Sequence, residues 1–335
     1  MLELHSKTSI KQGKDMNTKI VYCLVSSEKD IYLEQAWVSI YSLRLHNPCT
    51  TVILVLDKLT AESLTGSRAK IKQLVTEVKV IETPEGYNAK ERSRYLKTNF
   101  RQFLSGDLLF IDTDTIIGGP LDDVDNISDE IACVPDYHVK FKDIPVYKQL
   151  SERIQGIFEI STDDAEYYFN SGVIYVKDTY RTRAFFADWY DRWKYSSFQK
   201  NCSFDQPALF AADKKNGYFI KQMSGTYNCQ ILYSMQYLHS GRILHFFNTT
   251  AVMGIEQFSP FYENSIYLQI KKDGGILGDM KMLIEDPSRW IKSPSYFVNK
   301  EQYLFLTSPV GLGMFSHYLS NSRFYRLLKK YCDRK

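Results

Sequence analysis

Short, unbroken apolar runs alternate with amphipathic stretches from Ile20 to Ile111. Ile20–Leu24, Val52–Leu56, Val78–Ile81 and Leu108–Ile111 each read as a strand buried on both faces. Between them, Ile31–Leu45 sets Trp37, Ile40 and Tyr41 at helical spacing, and Thr60–Leu74 and Ala89–Leu104 have helical composition. This alternation predicts an α/β fold with a doubly wound parallel sheet, which binds ligands beyond the carboxyl ends of its strands. The rest is less regular. Ile131–Val134, Gly172–Val176 and Ile243–Phe247 predict strands, and Arg181–Tyr195 and Phe204–Ala212 predict helices. Tyr137–Tyr168 is a long excursion with a helical middle at Tyr147–Ile154, the kind of segment that forms a lid or binding loop.

Composition narrows the class. At 335 residues, 44% apolar and 24% charged, the chain suits one large globular domain with additions, which excludes global disorder. Its net charge of +3 gives no argument for a nucleic-acid partner. The six cysteines (Cys23, Cys49, Cys133, Cys202, Cys229 and Cys332) form no CxxC pair, which excludes a zinc finger and predicts a reducing, cytoplasmic compartment. Residues 1–15 are polar and carry no signal-peptide core, so they read as a flexible leader before the fold begins near Met16. No apolar run is long enough to span a bilayer. The final segment, RFYRLLKKYCDRK (Arg323–Lys335), interleaves six basic residues with Phe324, Tyr325, Leu327, Leu328 and Tyr331. Two readings of it stand: a helix lying on an anionic membrane, or an ordinary solvated terminal helix. Aromatic residues reach 14% of the chain, led by 24 tyrosines. Tyr137 and Tyr147, in or beside the excursion, are the candidates for ring binding at a lid.

The chemistry concentrates in LLFIDTDTIIGGPLDD, starting at Leu108. A buried strand runs into Asp112-Thr113-Asp114, and residues i and i+2 of an extended chain point the same way. Two carboxylates at one buried point need compensation, and a hard divalent cation supplies it. Neither GxGxxG nor GxxxxGK[ST] occurs, so the nicotinamide, flavin and P-loop signatures are absent. Two enzyme classes end a strand in DxD. Phosphoaspartyl hydrolases fit IDTDT, but they carry it on the first strand and need a later acidic pair at a strand end; Asp163-Asp164 lies in the excursion instead. Nucleotide-sugar glycosyltransferases are the second class. A non-catalytic glycan-binding or scaffold protein on the same fold is the third reading.

Further segments add a resemblance. FIDTDTIIGGPLDDV, YFNSGVIYV, FDQPALF, the pair Tyr227-Asn228 and ILHFF occur in an order similar to that of glycosyltransferase family 8, which includes glycogenin and bacterial lipopolysaccharide galactosyl- and glucosyltransferases. The resemblance spans Lys19–Phe247. It implies a GT-A fold, a Rossmann-like mixed sheet flanked by helices, over residues 16–258, with a helical C-terminal extension over 259–335. It implies a retaining hexosyltransferase that moves sugar from a UDP-sugar to a glycan or lipid-linked saccharide acceptor. Carried onto this chain, Asp112, Asp114 and His245 would hold Mn²⁺ or Mg²⁺. Val25, Ser26, Ser27 and the Tyr32 ring would receive base and ribose. Arg94 or Lys97 would meet the donor, and Asp136, Asn170 and Ser171 would line the sugar. Asp205 and Gln206 would be the catalytic pair. Retention would proceed by double displacement through one of that pair, or by same-face attack as the diphosphate leaves. The family's HxxGxxKPW is HFFNTTAVMG here, so a lysine from that loop is not expected on the diphosphate.

Overall fold

The computed structural model describes residues 13–234, 236–246, 260–262, 264–285 and 304–332. Its centre is a seven-stranded mixed sheet. The strands β1 (Lys19–Leu24), β2 (Val52–Asp57), β3 (Glu77–Ile81) and β4 (Leu108–Ile111) run parallel in the order β3-β2-β1-β4. A three-stranded sheet contains β5 (Thr115–Ile117), β9 (Cys229–Gln230) and β10 (Ile243–His245), with β10 in the middle. The large sheet is completed by β6 (Ile131–Pro135), β7 (Phe169–Val176) and β8 (Lys221–Gln222). There β7 runs antiparallel to both β4 and β6, so the parallel pattern of the first half does not continue through the second.

The helices are α1 (Tyr32–His46), α2 (Lys58–Ser63), α3 (Ala89–Phe103), α4 (Tyr147–Phe158), α5 (Tyr180–Gln199), α6 (Gln206–Lys215), α7 (Asn264–Asp273), α8 (Asp279–Glu285), α9 (Pro309–Leu319) and α10 (Arg323–Cys332). Alternation along β1 divides the core. Ile20, Tyr22 and Leu24 meet Leu33, Ala36, Ile40 and Leu43 of α1. Val21 turns the other way, toward Leu96 and Phe100 of α3 and the rings of Phe186 and Trp189 on α5. Each such side chain contributes about 1.5–3 kcal/mol by burial. Capping sets the start of α3, where Asn88 and Glu91 exchange side-chain-to-backbone hydrogen bonds.

Thr60–Leu74 is not one helix. Asp57 caps α2, the chain breaks at Thr65–Gly66, and a 3₁₀ stretch covers Gly66–Gln73. Gly66 sits at φ +52°, the left-handed conformation that glycine adopts cheaply. The excursion has a small core of its own, in which Phe141, Ile154 and Tyr168 meet Phe210 of α6. The extension begins as part of the body, with Tyr267 and Ile270 of α7 and Ile284 of α8 packing with Trp37 and Val38 of α1. Phe247, the HFFNTTAVMG loop beyond Phe246, residues 1–12 and residues 333–335 lie outside the described residues. Among those described, no helix is long and apolar enough to cross a membrane, and Cys23, Cys49, Cys133, Cys202 and Cys229 are free thiols.

Candidate active site

Strand pairing assembles the site. β4 ends at Ile111, and the Asp112 amide donates to the Gly172 carbonyl at 2.8 Å, holding the DxD turn against β7. β10 pairs with β5 in a register that sets His245 opposite Thr115, and the Phe246 amide donates to Asp114 O at 3.0 Å. Ligand atoms of Asp112, Asp114 and His245 therefore lie within 4.8 Å of one another.

A fixed chain of hydrogen bonds orients the imidazole. The Gly172 amide must donate, so Asn170 presents its Oδ1 to it at 2.9 Å. The same oxygen accepts from Asn228 Nδ2 at 2.8 Å, which leaves Asn228 Oδ1 facing His245 Nδ1 at 2.9 Å. An amide oxygen only accepts, so Nδ1 carries the hydrogen and Nε2 turns its lone pair toward Asp114 Oδ1, 3.2 Å away. A lone pair that close to a carboxylate oxygen is favourable with a cation between them. Two carboxylates and one imidazole are a donor set that suits Mn²⁺ or Mg²⁺. The other end of the relay reaches Asp136, which accepts from Asn170 Nδ2 and Gln206 Nε2, each at 3.0 Å. A register shift between Cys133 and Pro135 falls just before Asp136, as bulges beside functional sites often do.

Cations approach from α3. Lys97 Nζ lies 2.9 Å from Asp112 Oδ2 and 3.2 Å from Asp205 Oδ2, and Arg94 Nε lies 3.0 Å from Asp205 Oδ1. The sequence left Arg94 and Lys97 as alternatives, and the structure brings both into the cluster, one turn apart on one helix face. Ser171 Oγ donates to Asp205 at 2.8 Å. Asp205 begins α6 without capping it, so its carboxylate serves this cluster.

These contacts set the protonation states. Burial opposes ionisation of Asp205, but Arg94, Lys97 and Ser171 outweigh it and hold the carboxyl far below its ordinary value. Burial raises Asp136 to about 6, partly offset by its Asn170 and Gln206 hydrogen bonds. Burial also raises Asp112 against the pull of Lys97. Lys97 stays protonated because Asp112 and Asp205 outweigh its desolvation. Asp112, Asp114, Asp136 and Asp205 thus face two fixed cations, an excess of negative charge that a divalent ion would balance.

The turn after β1 is a braced loop. The Val25 side chain packs with Ile53 and Val55 in the core. Ser26 Oγ and the Ser27 amide each donate to Asp30 at 2.7 Å, and Arg68 donates to Ser27 O at 3.1 Å. The Ser26 and Ser27 side chains therefore hold the turn itself. Tyr32 leaves its ring half exposed at the start of α1. Lys271, at the end of α7, donates to Glu28 O at 2.8 Å and to Asp30 O. The motifs pointed to none of Asp30, Arg68 and Lys271, because each acts on backbone that is remote from it or irregular.

Tyr147 packs edge-on against Phe141 inside the excursion, and Tyr137, mostly buried at φ +57°, stacks on Tyr233 with ring centroids 4.1 Å apart. Asp164 pairs with Lys214 at the surface, away from the DxD turn.

Asp112 and Asp114 beyond the carboxyl end of β4, with His245 beside them and Lys97 facing Asp112, make a candidate cation site in a mixed α/β fold. The chain belongs to glycosyl transferase family 8, whose family model matches residues 23–253. None of the curated proteins matches it in sequence. Among solved structures it is similar to the galactosyltransferase LgtC in complex with donor and acceptor sugar analogs, at 13% identity and TM-score 0.48, over 81% of this chain and 100% of that one. It is also similar to the glycosyltransferase GlyE of Streptococcus pneumoniae TIGR4, at 14% identity and TM-score 0.44, over 83% of this chain and 66% of that one.

Proposed function

We propose that the protein is a metal-dependent, retaining hexosyltransferase that moves a sugar from a UDP-sugar to a glycan or lipid-linked saccharide acceptor. The observation that carries this reading is the convergence of Asp112, Asp114 and His245, with His245 Nε2 aimed at the acids. Mn²⁺ or Mg²⁺ held by these three residues would neutralise the departing diphosphate as a Lewis acid.

The remaining steps belong to the chain's own groups. The braced turn of Val25–Ser27 offers backbone to the base, with the Tyr32 ring beside it. Arg94 and Lys97 add positive charge for the diphosphate. Asp136, fixed by Asn170 and Gln206, accepts hydrogen bonds from donor-sugar hydroxyls. Asp205 stays ionised and stabilises positive charge that develops at the anomeric carbon. Arg94 engages one of its oxygens, and Lys97 and Ser171 the other. A nucleophile needs a free lone pair, so this pinning favours same-face attack over double displacement. In that route a departing phosphate oxygen takes the acceptor proton, and no separate base is required. The isolated free cysteines support a reducing, cytoplasmic setting.

The test is UDP release from a panel of UDP-sugars with Mn²⁺. One hexose donor should turn over, and Asp112→Asn combined with Asp114→Asn should lower the rate by at least about 100-fold, the order seen when electrostatic stabilisation is removed. Unchanged turnover in that variant would sink the proposal.

A further inference from the structure

The last two helices carry features that sugar transfer does not use. α9 and α10 contribute no residue to the four buried clusters of the fold. On α10, Phe324, Leu327 and Tyr331 form one stripe at i, i+3 and i+7 and are 53%, 62% and 60% exposed. Arg323, Arg326, Lys329 and Lys330 occupy the other side of the same helix, and Leu304–Cys332 contains no Asp or Glu. α9 adds Val310, Met314 and Tyr318, again along one stripe and all exposed. The two helices are joined by Tyr318 edge-on to Tyr325 at 5.2 Å and by His317 against Phe324 at 5.0 Å. Ser316 Oγ of α9 donates to Pro145 O, so the pair is tied to the excursion.

We propose that the α9–α10 pair is a docking face for an anionic lipid surface. Ten residues make α10 too short to span a bilayer, whereas segregated apolar and basic faces are what an interfacial helix requires. Charge decides the occupant. An anionic headgroup layer complements four basic residues with no acid among them, and each cation near such a surface raises affinity by about fivefold. A second copy of the chain would present the same positive charge and repel. Attachment through Pro145 would bring the excursion close to the lipid plane. The proposal concerns lipid binding alone and stands whether or not the transferase reading holds.

Co-sedimentation of the full chain with phosphatidylcholine vesicles, with and without phosphatidylglycerol, tests it. Binding should require phosphatidylglycerol and weaken as salt is added. Arg326→Glu with Lys330→Glu should lower partitioning at least about 25-fold, two charges at about fivefold each. Val310→Ser with Leu327→Ser should also abolish sedimentation while leaving the melting temperature unchanged, since both side chains are exposed and neither belongs to a core. Equal binding to neutral vesicles, or a charge-reversed variant that binds like the parent, would overturn the proposal. So would a dimer in sedimentation velocity that the Val310/Leu327 variant converts to monomer, because a second copy would then be the occupant.

Discussion

Gly172 shows how little room the candidate metal site leaves. A Cβ there would lie 2.2 Å from His245 Cε1, 2.7 Å from Nδ1 and 2.9 Å from Asn170 Oδ1. The buried imidazole cannot retreat without giving up its Asn228 partner. Gly172→Ala should therefore move His245 off the acids. Mn²⁺ affinity in calorimetry should fall about 10–100-fold, the usual cost of misorienting a ligand through its supporting shell. Stability should fall by about 1–3 kcal/mol from overpacking. Parent-like Mn²⁺ affinity would mean that His245 is not a ligand. The sequence placed Asn170, Ser171 and Gly172 in one motif, but the reason for the glycine lies in a side chain seventy-three positions away. The relay that fixes the imidazole is equally hidden, since Asn228 stood in the sequence as a motif letter without a task.

Among the elements, α7 does the least expected work. It lies beyond the family match at residue 253, yet its Lys271 ties down the turn that follows β1. Lys271 also stands 3.9 Å from Glu34, whose buried carboxyl is raised by desolvation and only partly relieved by the lysine. Lys271→Met should loosen the turn and raise the donor KM about 5–20-fold, with kcat nearly unchanged, because uniform binding is lost and no transition-state contact is touched. Lys271→Arg should recover part of the loss; an equal fall in kcat would contradict the positioning role. Elements such as β1, β2 and β4 were legible because strands buried on both faces appear as unbroken apolar runs. Thr60–Leu74 has the composition of one helix, and composition does not record the left-handed turn at Gly66 that divides it. The bracing by α7 was not legible, because an amphipathic helix does not record which face of the body it will cover.

At the scale of the whole molecule, the candidate site joins the two sheets. Asp112 leaves the end of β4 in the large sheet, Asp114 leads into β5, and His245 ends β10 in the small one. The order of the motifs made these residues legible as a set, but only the β5–β10 pairing shows why His245 arrives beside them. Without a cation the junction opposes the fold. Burial and the adjacent Asp114 both raise Asp112 above its ordinary value, so at neutral pH its ionised form is less favourable in the folded chain than in the unfolded one. A group shifted upward in this way stabilises most when protonated and loses that contribution as pH rises through its folded-state value. A cation bound by all three ligands would reverse the balance, adding about 2.7 kcal/mol at a concentration one hundred times its dissociation constant. For a chain of this size that corresponds to several degrees of melting temperature. Asp112→Asn should therefore change two things in opposite directions. At pH 7 in EDTA it should melt no lower than the parent, since an unfavourable half-buried charge has gone. In Mn²⁺ the parent should rise by several degrees and the variant by little or nothing. Differential scanning calorimetry in both buffers separates the effects. A variant that melts lower in EDTA and still gains the full Mn²⁺ shift would show that Asp112 serves the fold and not the cation, whereas crossing of the two curves would show a stability cost retained for the sake of the site.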